Sequence, residues 1–308
     1  MSDSDNFQPR KRAYTRLMDR YRGDPFYSPV FNRLVRSGLR LKVLGDEFRL
    51  KLVKRSDEEI DQWYSDHNVF FGFALYRSGT FFLSNFLNHI LEDAQVEHEA
   101  NVNDYWYYSR ALQSEDAALR YVQEFRKADL VRFASAQNKT DYGEINPFLR
   151  RHCKALQLEI PNAKYFHLVR DGREVVRSIM SREILDVTDP LGHLTFPPKS
   201  DPYRSEWNGM SRFEKICWMW QADNRYIREA TGHTMQFEKL RTDYDYFNEK
   251  LLGFLDLEIA EPTWSEYMSK KRNSTPRYTF PHWNKWDEKQ RSDFERICGE
   301  EMTANGYF

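Results

Sequence analysis

The sequence predicts an α/β fold, with helices packed on parallel strands and a basic helical extension in front. Two observations predict it. The apolar run Phe70-Phe71-Gly72-Phe73-Ala74-Leu75 is too short for a helix. It ends in the turn Tyr76-Arg77-Ser78-Gly79-Thr80, after which Phe82, Phe86 and Ile90 recur at four-residue spacing. The same order of strand, turn and helix returns at residues 164–180, where an apolar run ends at Arg170, Asp171-Gly172 makes the turn, and Val175, Val176 and Ile179 form a helical stripe.

The N-terminal region comes first in chain order. Residues 1 to about 12 are polar and expected to be disordered. From Arg10 to Arg55 the charge balance is strongly basic, with Arg16, Arg20, Arg33, Arg36, Arg40, Lys42, Arg49, Lys51, Lys54 and Arg55 against few acids. Leu34, Leu41, Leu44, Phe48 and Leu52 supply an apolar stripe at helical spacing, so helices are expected to pack this stripe on the main domain. The basic face then either meets water or offers a contact to an anionic membrane. The expected division is a basic helical extension over 1–64 and a main domain over 65–308.

The first strand-turn-helix aims the free N–H groups of a helix's first turn at the loop, where the macrodipole favours an anion and Gly79 lets the backbone come close. Thr80 is expected to cap that helix and to offer its hydroxyl; Arg77 adds a permanent positive charge. The pattern is a phosphate cradle of an uncommon kind, because no glycine in the chain is followed by lysine and a Walker loop is therefore absent.

Beyond it, Gln95 to Glu99 reads as a short strand or turn, Glu115 to Ala128 as a helix, Leu130 to Ala134 as a strand, and Asn146 to Leu158 as a helix stopped by Pro161 and Asn162. The second strand-turn-helix then places Arg170 and Ser178 on either side of its turn, where a guanidinium fork and a hydroxyl can converge on one anion. Two phosphate-sized sites on parallel strands imply a ligand with two separated anionic groups. Glu183 to Arg212 is a long loop of the kind that forms lids or binding surfaces. A helix follows over Phe213 to Ala230 with Ile216, Trp220 and Ile227 buried, then a strand over Thr234 to Phe237, a short helix over Phe247 to Leu255, a basic loop around Lys270 to Asn273, and a closing helix over Asp287 to Asn305.

Composition bounds the rest. A chain of 308 residues can bury a sizeable core, and a net charge of -1 argues against a nucleic-acid partner. Cys153, Cys217 and Cys298 lie far apart in sequence without metal-ligand spacing, and read as buried, reduced thiols. No run is apolar enough to span a bilayer, so a cytoplasmic location is expected.

The two motifs, Tyr76-Arg77-Ser78-Gly79-Thr80 and Leu168-Val169-Arg170-Asp171-Gly172-Arg173-Glu174-Val175-Val176-Arg177-Ser178, resemble the paired signatures of sulfotransferases that use 3′-phosphoadenosine 5′-phosphosulfate (PAPS). The resemblance runs from about Val69 to the C-terminus, and its Arg77 is similar to the arginine of the carbohydrate, tyrosylprotein and bacterial branches. It implies a P-loop-like α/β sandwich with a central parallel sheet, a hydroxyl- or amine-bearing acceptor, PAP as product and no metal requirement. Arg77, Ser78, Gly79 and Thr80 would hold the 5′-phosphosulfate, and Arg170 with Ser178 the 3′-phosphate. Phe82 matches an aromatic that stacks on adenine, Phe237 a strand-end aromatic that is often tyrosine, and Lys271, Arg272 and Asn273 the late basic loop over the 3′-phosphate. Tyr76, Phe81 and Gly172 depart from the pattern, and Phe81 removes a hydroxyl from the cradle. Arg77 would neutralise charge on the leaving phosphate, while the base falls among Glu97, His98 and Glu99, with Glu99 first, His98 second and His193 an outside candidate. A P-loop small-molecule kinase and a catalytically silent nucleotide-binding module are the rival readings.

Overall fold

The computed structural model of the chain describes residues 28–53, 55–91, 93–135, 141–182, 184–186, 189, 192–269 and 278–308. A five-stranded, wholly parallel sheet runs through it, built from β1 (Asn68–Phe73), β2 (Ala94–Glu97), β3 (Asp141–Ile145), β4 (Lys164–Val169) and β5 (Thr234–Gln236) in the order β2-β3-β1-β4-β5. β1 lies at the centre, and Phe73 pairs in register with His167 of β4. Because neighbouring strands are parallel, the turns that leave β1 and β4 emerge side by side at the same end of the sheet. The chain leaves β1 toward one edge and β4 toward the other, so a crevice opens between those two turns, where ligands of open α/β sheets bind.

Helices cover both faces: α1 (Ser28–Val53), α2 (Asp57–Asp66), α3 (Thr80–Ile90), α4 (Val102–Gln113), α5 (Glu115–Tyr121), α6 (Lys127–Ser135), α7 (Cys153–Glu159), α8 (Gly172–Met180), α9 (Arg212–Thr231), α10 (Phe237–Thr242), α11 (Glu261–Ser269) and α12 (Glu288–Ala304), with shorter turns between. Strand alternation sorts the core. Phe71 and Phe73 point to one face, with Tyr165 stacked on both, and pack with Ile60, Trp63 and Val131. Phe70 and Phe166 point to the other, with Phe82, Phe86 and Leu240. α9 is buried nearly all round, Cys217, Trp218, Met219 and Trp220 included, because it is wedged between the sheet, α8 and α12. The three cysteines are buried and free, and the Cys298 thiol of α12 donates to the Cys217 carbonyl of α9 at 3.4 Å.

Several elements differ from expectation for identifiable reasons. Leu130 to Ala134 is not a strand: one π-helical turn (Val122–Arg126) joins α5 to α6, which carries these residues. A five-residue apolar run has no period of its own, and the helix already under way absorbs it. The strand beside β1 is instead Asp141–Ile145, an unpromising Asp-Tyr-Gly-Glu-Ile. Its glycine is required, since a Cβ on Gly143 would lie 2.0 Å from the Phe70 ring. Its Glu144 is fully buried and takes two bonds from Arg126, at 2.7 and 2.6 Å, while Arg126 also binds the buried Asp104 at 2.9 Å. Asn146 to Leu158 begins as a 3-10 turn (Pro147–His152) before α7, and Leu158 faces solvent rather than the apolar side. Gly79, left-handed at φ 96°, takes the N-cap position of α3 that Thr80 was expected to fill.

The largest departure is α1. It turns Val35, Leu39, Val43 and Leu50 inward, and the stripe Leu34, Leu41, Leu44, Phe48 and Leu52 that was expected to pack on the domain faces out. The shorter apolar set won because α4 offers Tyr105 and Trp106 to Val35 and Leu39, and the α2 region offers Ile60 to Leu50.

Candidate active site

The first turn leaves β1 through Ala74 and Leu75, both fully buried, and closes with the Ser78 N–H donating to the Leu75 carbonyl at 3.2 Å. Tyr76 anchors it from beneath, its hydroxyl on Met219 Sδ at 2.9 Å and its ring under the Arg150 guanidinium at 5.2 Å. Arg77 is left-handed at φ 74°, a conformation an L side chain adopts only when its surroundings hold it there. Gly79 serves two needs at once: its φ lies in the left-handed range, and a Cβ there would stand 2.2 Å from the Phe237 ring.

The second turn leaves β4 at Arg170, and Asp171 caps α8 by accepting from the Arg173 N–H at 2.9 Å. Glu238 of α10 holds this turn in place. It accepts from the Asp171 N–H at 3.2 Å and from the Tyr307 hydroxyl at 2.7 Å, and lies 3.8 Å from Arg170 Nε.

The turns meet. Arg170 Nη1 donates to the Arg77 carbonyl at 2.9 Å, and Arg77 Nε donates to Ser178 Oγ at 3.0 Å. Arg77, Arg170 and Ser178 therefore form one contiguous cluster. Burial, followed by the like charges of Arg182 and Arg170, lowers the pKa of the Arg77 guanidinium. Two further guanidinium groups thus lie close enough to Arg77 to act on its charge. Among the described residues, Ser78 Oγ and Arg170 Nε are buried polar atoms with no hydrogen-bond partner, which fits a site built to receive acceptor oxygens.

On the far side of α3's first turn, Thr80 Oγ1 and His98 Nε2 share a hydrogen bond of 2.9 Å, and the Phe81 ring meets the imidazole edge-on. Burial lowers the His98 pKa to about 4, so the ring is neutral near pH 7. Glu99 follows in a left-handed conformation, φ 54°, with its carboxylate 3.9 Å from His98 Nε2 and its side chain 40% exposed. Loss of solvation raises its pKa to about 7, against the opposing pull of Arg77. Glu97 points elsewhere: burial raises its pKa, Gln95 bonds to it, and the charges it feels are Glu144 and Arg126 beneath the sheet. Of the three neighbouring candidates, two reach the first turn and one does not.

Phe82 is 9% exposed, packed edge-on against Phe237 and Tyr267, with the Arg241 guanidinium over its ring at 5.3 Å. Phe237 lies between two cations, Arg170 and Arg241, each 5.7 Å from its ring. Sequence reasoning missed Arg241 and Arg182. Arg182 was within reach, being one turn beyond Ser178; Arg241 joins the site only through the packing of α10. Lys271, Arg272 and Asn273 lie outside the described residues, as does the side chain of His193 in the turn Gly192–Leu194.

The model of the sulfotransferase family matches residues 86–261, more than half of the chain, and includes Glu99, Arg170 and Ser178. The chain belongs to the sulfotransferase family. Among solved structures it is similar to the sulfotransferase domain from the curacin biosynthetic pathway (TM-score 0.41, 14% identity, 76% of this chain and 97% of that one). It is also similar to mouse sulfotransferase SULT7A1 complexed with PAP (0.41, 11%, 82% and 91%) and to sulfotransferase STF9 from Mycobacterium avium (0.41, 13%, 78% and 77%). No curated protein matches the sequence. Among the described residues, no helix is long and apolar enough to cross a membrane.

Proposed function

We propose that the protein transfers a sulfuryl group from PAPS to an acceptor hydroxyl or amine in the crevice between the β1 and β4 turns. The observation that carries this reading is the contact between the turns, in which Arg170 bonds to the Arg77 backbone and Arg77 to Ser178. One end of the crevice holds the N-terminus of α3 and the other holds Arg170 and Ser178, so a nucleotide phosphorylated at both ends of its ribose can bridge them.

When bound, the nucleotide supplies the sulfuryl group and leaves as PAP. The residues position reactants and neutralise charge, as in phosphoryl transfer. Ser78 Oγ and the N–H groups of Gly79 and Thr80 bind the 5′ end. Ser178 Oγ exchanges its bond from Arg77 for a 3′-phosphate oxygen, with Arg170 Nε as a second donor. Arg77, released toward the cradle, faces the oxygen on which negative charge grows. Glu99 takes the acceptor proton, and a carboxylate of pKa about 7 is well matched to that task near neutrality. His98 holds the Thr80 hydroxyl in place. Phe237 and Phe82, with Arg241, form the wall nearest the base.

Transfer of labelled sulfate from PAPS to a panel of hydroxyl acceptors tests the reading. Arg77→Ala is expected to lower the rate on the order of a hundredfold or more. Nearly normal turnover in that variant overturns the role given to Arg77. Tight binding of ATP with magnesium, and none of PAP, would favour the kinase instead.

A further inference from the structure

We propose that the outward face of α1, with the arginine cleft beside it, docks the protein on an anionic phospholipid surface. At about 3.6 residues per turn, positions seven apart return to nearly one azimuth. Leu34, Leu41 and Phe48 therefore fall on one strip, Leu52 with them, opposite the buried Val35, Leu39, Val43 and Leu50. The strip is open: Leu34 is 65% exposed, Leu41 71%, Phe48 65% and Leu52 70%. Gly38 and Gly45, which lie in it, have nothing among the described residues within 4 Å of where a Cβ would stand.

Charge decides what covers this strip. Arg33, Arg40 and Lys51 flank it on one side and Arg49 on the other, all exposed. The only two acids of α1 are engaged: Asp46 pairs with Lys42, and Glu47 accepts from the Tyr107 hydroxyl of α4. A second copy of the helix laid on the strip would face basic flanks with basic flanks, which like-charge repulsion opposes. A bilayer of anionic lipid complements both parts, taking the leucines among its acyl chains while the long basic side chains reach the headgroups.

The cleft is an independent second observation. It opens between α1, α4 and the Leu194–Phe196 segment with a volume of about 610 Å³, and Arg33, Arg36, Arg40 and Arg110 line it beside Trp106 and Phe196. Among the described residues, no carboxylate lines it. Four guanidinium-bearing residues around a concavity next to an apolar strip match a phosphate headgroup whose chains lie along that strip. The cleft shares no lining residue with the two turns that form the candidate active site, so the proposal does not draw on the sulfotransfer reading.

Flotation of the full chain with vesicles tests it, using phosphatidylcholine alone and phosphatidylcholine mixed with phosphatidylserine, at low and raised salt. The expected result is binding to the mixed vesicles only, weakened by salt. Leu41→Ser with Phe48→Ser is expected to lower the partition coefficient roughly tenfold or more. Arg33→Gln with Arg40→Gln is expected to lower it roughly fivefold per charge removed. All four side chains face solvent or the cleft, so unchanged thermal melting shows that the variants still fold. Absence of binding at low salt, or equal binding by the variants, overturns the proposal. So does concentration-dependent dimerisation that Leu41→Ser with Phe48→Ser abolishes while vesicle binding persists.

Discussion

Replacing Glu99 tests the chemistry most sharply, because the structure assigns the two neighbouring base candidates very different ionisations. Partial loss of solvation, opposed by Arg77, raises the Glu99 pKa to about 7, and burial lowers that of His98 to about 4. A base works only when deprotonated. If Glu99 is the base, kcat/KM climbs with slope one up to about pH 6, where about a tenth of the carboxylate is ionised, and levels off by about pH 8, where about nine tenths is. Glu99→Gln removes that limb and lowers the plateau by about two to four orders of magnitude. Arg77 pulls the Glu99 pKa down, so Arg77→Gln moves the midpoint of the remaining activity to higher pH. The assay is initial rate of sulfate transfer from labelled PAPS from about pH 3 to about pH 9, with the donor saturating. A limb near pH 4 that persists in Glu99→Gln would move the role to His98, and a limb near pH 7 that persists would refute the assignment outright. Stability supplies a second sign. The folded-state pKa of Glu99 exceeds its ordinary value, so whatever stability it contributes is present at low pH and lost as pH rises toward about 7. Glu99→Gln is therefore expected to raise the melting temperature more at pH 8 than at pH 5.

Gly79→Ala is expected to destabilise the fold by about 2–4 kcal/mol, from the left-handed φ and the collision with Phe237, as read by urea denaturation. Adding Phe237→Ala removes the collision but not the φ, so the double variant recovers part of that loss relative to Phe237→Ala alone. Arg126→Met strands Asp104 and Glu144 in the core and is expected to cost about 3–5 kcal/mol at pH 7. Burial already pushes Asp104 up to about 6, against the pull of Arg126. Without Arg126 the stranded Asp104 protonates more readily, so the penalty is expected to shrink on lowering the pH to 5.

Both strand-turn-helix units were legible because each combines a short apolar run, a turn residue and a helical stripe, and parallel pairing of their strands then puts the turns side by side. β3 was not legible, since its glycine and its Glu144 satisfy partners distant in sequence, the Phe70 ring and Arg126. A buried ion pair looks like surface polarity until its partner is known. The same limit hid the orientation of α1, whose two apolar sets differ only in which meets α4 and the α2 region. At the site, Arg77, Arg170 and Ser178 could be read from their turns, whereas Arg241 reaches Phe82 only through the packing of α10. The approach of Glu99 to His98 comes with a left-handed backbone at Glu99, which no propensity predicts.

The central claim is that two turns grip opposite ends of one nucleotide, and calorimetric titration of PAP and of adenosine 5′-phosphate into wild type and Arg170→Ala tests it most directly. Losing a charge-assisted bond to the 3′-phosphate is expected to weaken PAP by roughly tenfold to a hundredfold while leaving the ligand without that phosphate nearly unchanged. Equal weakening of both ligands, or PAP binding indifferent to Arg170, would contradict it.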